Sequence, residues 1–509
     1  MTALPPLIQH MLTPEFYPHP VTEPIQLIQT HISYVLLTGA YAYKVKKPVN
    51  FGFLDFTTLE KRKYFCEEEL RLNQRGAPHL YLEVLAITQG GNRLFLKGTG
   101  EPVEYTLKMR QFPQDALFTH LLEKGELTEK RMEDLGRVVA RFHAQSQTDD
   151  AIQTFGRMVQ IRAVIDQNYE QTKKYIGGPQ TQEQFDQTRK YTDWFFQEQQ
   201  ALFENRVADN RIRECHGDLH LGNICLWQDQ ILLFDCIEFN QAFRFVDVMY
   251  DVAFVVMDLE AQHRPDLSNA FLNTYIEETG DWEGLQILPL YLIRQAYVRA
   301  KVTSFLLDDP AISEEAKAEA QQKAAHYYQL AWQYTQKHQG QLILMSGLSG
   351  SGKSTVARYF ARRLNAIHIR SDAVRKHLGG ISLYERGEAK LYTPAMNERT
   401  YSRLLYLGIT LATQGYPVIL DAKYDQQVFR LTVLEQAKVN QLPFRIFYCT
   451  APLEVLRERL LRREGDITDA GVELLAQQRQ AEEPFTAIER PYIKILDTTQ
   501  HLEVLWDSV

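Results

Sequence analysis

The chain has 509 residues, 45% hydrophobic and 24% charged, with a net charge of −8. At about 150 residues per domain that length is too great for one ordinary domain and suggests about three folding units, with apolar material for several cores and too little charge imbalance for disorder. Five scattered cysteines (Cys66, Cys215, Cys225, Cys236, Cys449), none in C-x-x-C or Cys/His ligand spacing, argue against a disulfide framework or a zinc site. The start has no basic segment followed by an apolar run, and no stretch approaches the roughly 18 apolar residues of a membrane span, so a soluble protein of the reducing cytoplasm is expected. Charge is uneven: residues 341 to 509 carry +3 and residues 1 to 340 carry −11. An excess of +3 is too small to argue for nucleic acid.

In chain order, residues 33 to about 110 are strand-rich. "SYVLLTG", "AYAYKVKKP" and "EYTLKMRQF" cluster or alternate β-formers, while "LEKRKYFCEEELRLNQRGA" has helical spacing. Residues 113 to 338 are mostly helical, with short strands around "ICLWQDQILLFD". This predicts an α+β unit over 1–338, with a small lobe (1–112) and a helical lobe (113–338). A Gln-rich helix opens at Ser313 as N-cap, followed by two acids, and Gly340 suits its C-terminal cap. The period then changes to a buried strand, "QLILMSG". Beyond it "LILMS", "AIHIRS", "PVILDA", "FRIFYCT" and "YIKILDT" alternate with helices, predicting an α/β unit over 341–509 with a parallel sheet. A cut between Lys337 and Gln341 is expected to leave two parts that each fold.

"GLSGSGKST" fits G-x-x-x-x-G-K-[ST] between a strand and a helix, the context the motif requires. Backbone N–H groups from Gly347 through Ser349, Gly350, Ser351, Gly352, Lys353, Ser354 and Thr355 would wrap phosphates at a helix N-terminus. Lys353 would reach the β/γ-phosphates and Ser354 would ligate Mg²⁺. Asp372, just after the second strand, sits where a carboxylate can take the proton of an attacking hydroxyl, and Arg375 one turn on can hold a substrate anion. Asp421 closes "PVILD" and is expected as a second Mg²⁺ ligand. "APLEVLRERLLRREGDITDA" puts Arg457, Arg459, Arg462 and Arg463 on a helix leading into a polar loop, alternatively a solvated basic face. Residues 341–509 resemble the small-kinase branch of P-loop proteins: gluconate kinase, adenylylsulfate kinase, the kinase half of polynucleotide kinase, and zeta toxin. The resemblance implies ATP as nucleotide and a mobile lid, with Arg459 and Arg463 as nucleotide-side lid arginines.

"HGDLHLGN" fits H-x-D-x-x-x-x-N with His216, Asp218 and Asn223. In kinase logic Asp218 accepts the substrate hydroxyl proton, Asn223 binds Mg²⁺, and Asp235, ending the apolar run "ILLF", binds the metal bridging the phosphates. This stretch resembles the aminoglycoside phosphotransferase-like family, whose fold is that of protein kinases. The resemblance implies that Asp251 steadies the catalytic loop and that a small-lobe lysine pairs with a helix glutamate. Lys44 or Lys46 is open for the first, Lys44 favoured; Glu68 or Glu69 for the second, Glu69 favoured. Only Gly39 stands where protein kinases have G-x-G-x-x-G. His143 reads as a packed helix histidine.

The order of the two parts, with "YAYKVKKPVNFGFLDFTTLEKR", resembles a bacterial family of bifunctional aminoglycoside phosphotransferase-like/ATP-binding proteins. The resemblance names no substrate; the two motif sets together lead to the expectation of an enzyme with two ATP·Mg²⁺ sites, each transferring a phosphoryl group to a hydroxyl of a small molecule. The rival expectations are an ATP-sensing module gating a single kinase, or a C-terminal part acting on nucleotide-sugar or nucleic-acid ends.

Overall fold

The computed structural model describes residues 4–91, 93–310, 312–462, 465–469 and 471–508. The chain forms two compact units. The first comprises Met1–Thr128, Arg141–Ile165 and Gln199–Asp258; the second comprises Glu129–Ala140, Asp166–Glu198 and Leu259–Val509.

In the first unit six strands form an antiparallel sheet: β1 (Gln26–Gln29), β2 (Ser33–Leu37), β3 (Tyr41–Lys46), β4 (Tyr81–Gly90), β5 (Arg93–Leu96) and β6 (Pro102–Arg110), in the order β1-β2-β3-β6-β4-β5. Strand β4, with its half-buried "YLEVLAITQG", lies outside the stretches expected to be strands. Leu36, Tyr43, Val45, Leu85 and Ile87 pack one face against Ile8 and Met11. The helix Leu59–Asn73 begins where Thr58 Oγ1 accepts from the Lys61 N–H at 3.3 Å. It buries Arg62, Cys66, Glu69 and Asn73, one stripe at helical spacing. Further on, β7 (Ile212–Glu214) pairs with β10 (Phe245–Asp247), and β8 (Ile224–Trp227) with β9 (Gln230–Leu233). Gln228 and Asp229, both with positive φ, make the two-residue β8–β9 turn.

In the second unit a parallel sheet carries β11 (Gln341–Ser346), β12 (Ile367–Arg370), β13 (Pro417–Asp421), β14 (Phe444–Thr450) and β15 (Ile493–Asp497) in the order β12-β13-β11-β14-β15. These are the five strands expected from the sequence. Ile343, Met345, Phe360, Ile419, Phe447 and Leu496 form its core. The helices of residues 129–140, 166–198 and 259–338 belong to this same unit, so its border differs from the change of period at 338–341.

Ser313 caps the helix Glu314–Gln333 as expected, its Oγ accepting from the Ala316 N–H at 3.3 Å. The Gly340 expectation is corrected: the helix ends at Gln333 with Tyr334 as cap. Gly340 instead lies against another segment, where a Cβ would stand 1.9 Å from the Ala412 carbonyl oxygen. No helix among the described residues is long and apolar enough to cross a membrane.

Candidate active sites

The first site lies in the first unit. Lys44 and Lys46 point to the same face of β3, as strand alternation requires, and both reach Glu69 on the helix Leu59–Asn73. Lys44 Nζ is 2.7 Å from Glu69 Oε1 and 2.8 Å from Asp235 Oδ1. Lys46 Nζ is 2.6 Å from Glu69 Oε2 and also pairs with Glu238. Both lysines thus pair with Glu69 rather than with Glu68. Lys44 faces the Asp235 side, Lys46 braces the same glutamate from behind, and Glu68 turns to Arg71 and Arg244. Burial alone would discharge the Lys44 ammonium, but the charges of Asp235 and Glu69 outweigh it and hold its pKa well above the usual value. Burial likewise opposes an ionised Glu69, and the two lysines bring its pKa below the ordinary range. Glu238 goes the other way, raised because burial exceeds what Lys46 returns.

The catalytic loop is held from below. Asp251 Oδ2 accepts from the His216 N–H at 2.7 Å, and Oδ1 from the Gly217 N–H at 2.9 Å. The buried His143 adds a third contact, its Nε2 lying 3.1 Å from Oδ2, so this packed histidine also orients Asp251. Gly217 has φ +85°, and a Cβ there would lie 2.5 Å from the Phe243 carbonyl oxygen, which demands glycine between His216 and Asp218. Asn223 Nδ2 donates to the Asp218 carbonyl oxygen at 2.9 Å and to Asp218 Oδ2 at 3.3 Å, which leaves Asn223 Oδ1 as the atom able to ligate a metal. Asp235 sits at φ +64°, its N–H donating to the Tyr81 hydroxyl at 3.1 Å. An aspartate tolerates that left-handed backbone better than most residues. His220 was not foreseen. Its Nδ1 accepts from the Gly222 N–H at 3.0 Å, so the proton is on Nε2, 3.6 Å from Asp218 Oδ2. The spacing D-x-H in "HGDLHLGN" was the available signal.

The second site lies in the second unit, around a cleft of about 850 Å³. Ser349, Gly350, Gly352, Lys353, Ser354 and Thr355 line it together with Asp372, Arg375, Asp421 and Arg459. The P-loop joins β11 to the helix Lys353–Leu364. Gly350 has φ +81°, and a Cβ there would meet the Leu456 carbonyl oxygen at 2.7 Å. Gly347 and Ser351 complete the turn. Among the described residues the buried Ser351 Oγ has no hydrogen-bond partner. Lys353 Nζ lies back over the loop, 2.9 Å from the Leu348 carbonyl oxygen. The Ser349 N–H donates to Gln478 Oε1 at 3.1 Å. Arg459 donates to the Thr498 carbonyl oxygen at 2.7 Å and Oγ1 at 2.9 Å, which fixes it beside Gly352. Arg463 lies outside the described residues, and Arg462 pairs with Glu458 on an exposed helix face.

Asp421 ends β13 and receives His368 Nε2 at 3.0 Å from β12. Burial pushes its carboxyl up, but the His368 hydrogen bond and the charges of His368, Arg370 and Lys353 bring it down to about 2. It is an ionised carboxylate lining the same polar cleft as the partly exposed Ser354, and the two offer oxygen donors of the kind that fits Mg²⁺. Arg375, expected to take a substrate anion, is otherwise engaged: it donates to the Leu391 carbonyl oxygen at 2.9 Å and to Asn397 Oδ1 at 2.7 Å. Arg370, unread in the sequence, lines the cleft with its guanidinium on Asp466.

A kinase-like lysine–glutamate–aspartate cluster and a P-loop cleft in one chain define a phosphotransferase. Residues 117–288 match the model of the phosphotransferase enzyme family, and residues 342–485 match that of an AAA domain. The chain is a kinase-type phosphotransferase. It is 30% identical over 464 residues to an uncharacterised protein of Mycobacterium tuberculosis (strain ATCC 25618 / H37Rv), with 90% of each chain covered. The same figures hold for an uncharacterised protein of Mycobacterium bovis (strain ATCC BAA-935 / AF2122/97). The chain belongs to the family of these proteins. Among solved structures it is similar to a choline/ethanolamine kinase family protein from Mesorhizobium loti (10% identity, 62% of this chain and 93% of that chain, TM-score 0.37). It is also similar to an APS kinase of Mycobacterium tuberculosis (23% identity, 34% and 96%, TM-score 0.25).

Proposed function

We propose that the protein holds two ATP·Mg²⁺ sites, each transferring the γ-phosphoryl group to a hydroxyl of a small molecule. The observation that carries this reading is that each unit groups a lysine with aspartates and further oxygen donors: Lys44 on Asp235 with Asp218 beside Asn223 in the first, and Lys353, Ser354, Asp372 and Asp421 around one cleft in the second. In the first site Asp218 takes the acceptor proton as the oxygen attacks the γ-phosphorus, with Lys44 positioned for the α/β-phosphates and Glu69 fixing Lys44. In the second Asp372 takes the proton and Lys353 holds the β/γ-phosphates. A bound Mg²⁺ supplies charge neutralisation at the phosphates; Asn223 and Asp235 would hold it in the first site, Ser354 and Asp421 in the second.

The test is incubation of the full-length protein with labelled ATP and a fractionated metabolite extract. Asp218→Asn should remove one labelled product and Asp372→Ala the other. Lys353→Ala should weaken ATP binding as well as turnover, whereas Asp372→Ala should spare binding. Should Asp372→Ala leave every product unchanged while Lys353→Ala alters the product that depends on Asp218, the P-loop unit is a regulator and the two-kinase reading falls.

A further inference from the structure

The acceptor side of the P-loop cleft is occupied by the chain itself. Residues 466–469, beyond the helix Leu453–Leu461, reach into the cleft and contact the groups assigned there to the acceptor. Thr468 Oγ1 donates to Asp372 Oδ2 at 2.6 Å, and Arg370 Nη2 approaches the same hydroxyl at 3.4 Å. That Nη2 also donates to Asp466 Oδ1. One alcohol is thus on the candidate base and one carboxylate on the neighbouring arginine, both within reach of a single guanidinium nitrogen. Asp469 anchors the segment separately, accepting from the Gly387 N–H at 2.8 Å, from Lys376 Nζ at 3.2 Å and from the Tyr392 hydroxyl.

An acceptor hydroxyl must donate to Asp372 to be deprotonated, and one that does so at Oδ2 takes the position the Thr468 hydroxyl holds. Whatever displaces residues 466–468 also strips Asp466 from Arg370, a side chain only 6% exposed. Without Asp466 the buried guanidinium keeps the charges of Glu277, 3.8 Å away, and of Asp421, but loses its hydrogen-bonded carboxylate, which is costly. Arg375 offers no alternative anion site while two of its nitrogens are bound to Leu391 and Asn397. The displacing molecule therefore needs an anion of its own.

We propose that the phosphate acceptor of the P-loop site is a small alcohol with an anionic group, carboxylate or phosphate, close to the reacting hydroxyl, and that residues 466–468 keep its place until it binds. The inference rests on the P-loop site being a phosphotransferase. In the transfer the acceptor oxygen bonds to the γ-phosphorus, the bridge to the β-phosphate breaks with its electron pair leaving on ADP, and the hydroxyl proton passes to Asp372. Arg370 is the specificity-determining residue, holding the anion.

Two measurements on the full-length protein test this. In the first, AMP-PNP·Mg²⁺ fills the nucleotide sites, and inorganic phosphate, glycolate and ethylene glycol are titrated in separately. Asp466→Asn, which weakens the built-in competitor, should bind an anionic probe about tenfold more tightly than wild type, the scale of a charge-assisted hydrogen bond. Phosphate or glycolate showing the larger gain tells which anion fits. Arg370→Gln added to Asp466→Asn should abolish the gain, Arg370→Lys should restore part of it, and ethylene glycol should not distinguish the variants. In the second, made in an Asp218→Asn background, Thr468→Val should raise Lys353-dependent ATP hydrolysis several-fold, because Asp372 becomes free to activate water. Equal anion affinity in wild type and Asp466→Asn, a gain indifferent to Arg370, or unchanged hydrolysis in Thr468→Val overturns the inference. Phosphate found on Thr468 by mass spectrometry also overturns it, since the segment would then be the acceptor. Loss of the P-loop reading looks different: Lys353→Ala would leave nucleotide binding unaltered.

Discussion

Glu69 carries two ammonium groups on one fully buried carboxylate, and its neighbour Glu68 carries none of that load. Glu69→Gln leaves Lys44 and Lys46 without their shared counter-charge and should cost about 3–5 kcal/mol, the range for breaking a buried pair. Glu68→Gln loses ion pairs with the half-exposed Arg71 and with Arg244, and should cost about 1 kcal/mol or less. Urea denaturation of the two variants checks the contrast, and equal losses would contradict it. In the sequence, strand alternation puts both lysines on one face and helical spacing favours Glu69 without excluding Glu68, so the pairing stays open. In the same site Asp218→Asn should leave Mg·ATP binding nearly intact and slow transfer by about two to four orders of magnitude, the range for losing a general base. Asp235→Ala should instead lose metal-dependent nucleotide binding, read by equilibrium titration with and without Mg²⁺. These residues were legible because their spacing is local, eight residues for His216 to Asn223. Arg370 and Thr468 were not, because the contact joining them spans almost a hundred residues of sequence. Asp421 adds a pH dependence. Its carboxyl, held at about 2 against 3.8 unperturbed, stabilises the fold above about pH 4, and that stabilisation is lost as pH falls toward 2. Asp421→Asn should flatten the acid limb of the stability profile over that window.

At the scale of elements, β12 shows why a strand pattern tells less than a sheet. The run "AIHIRS" predicts a buried strand and is one, yet it forms an edge of the five-stranded sheet. An edge exposes unpaired backbone groups that must be covered. Here the helix Pro265–Thr279 covers them with two asparagines one turn apart. Asn269 Nδ2 donates to the Ala366 carbonyl oxygen at 2.9 Å, Asn273 Nδ2 to the same oxygen at 3.0 Å, and Asn273 Oδ1 accepts from the His368 N–H at 2.8 Å. Polar residues on an otherwise buried helix face read as noise in a hydrophobicity pattern; their purpose appears only beside the strand they cap. Asn273→Ala leaves the His368 N–H unpaired and should cost about 1–3 kcal/mol of stability. Because His368 also orients Asp421, the same variant should weaken Mg²⁺-dependent nucleotide binding at the P-loop, measured beside the melting temperature. A loss of stability with no change in binding would mean the strand holds His368 in place by packing alone.

For the whole molecule, the change of period at Gly340 marks where the parallel sheet starts, since β11 begins at Gln341, but it does not mark where packing stops. A period detects the element a residue belongs to; a compact unit depends on contacts between segments far apart in the chain. Arg362 of the P-loop helix pairs with Glu129 and lies 2.6 Å from Glu133, His377 Nε2 is 2.7 Å from the Glu277 carbonyl oxygen, and the Tyr416 hydroxyl donates to the Leu285 carbonyl oxygen at 2.9 Å. All of these join residues 341–509 to segments before residue 338, within the second unit. A fragment of residues 341–509 alone would lose them together with both asparagines on the β12 edge. With a typical domain stable by only about 5–15 kcal/mol, several such losses of about 1 kcal/mol or more are a large fraction. The sequence-based expectation of two self-sufficient parts therefore becomes a sharper prediction. If a protease site replaces residues 338–340 in the folded protein, cleavage should leave the two pieces associated on size exclusion with nearly unchanged melting. The 341–509 fragment expressed by itself should melt at least several degrees lower or aggregate. Pieces that separate on cleavage, each with its own undiminished cooperative transition, would show instead that the contacts with residues 129–338 contribute little and that the border at Gln341 is a true domain boundary.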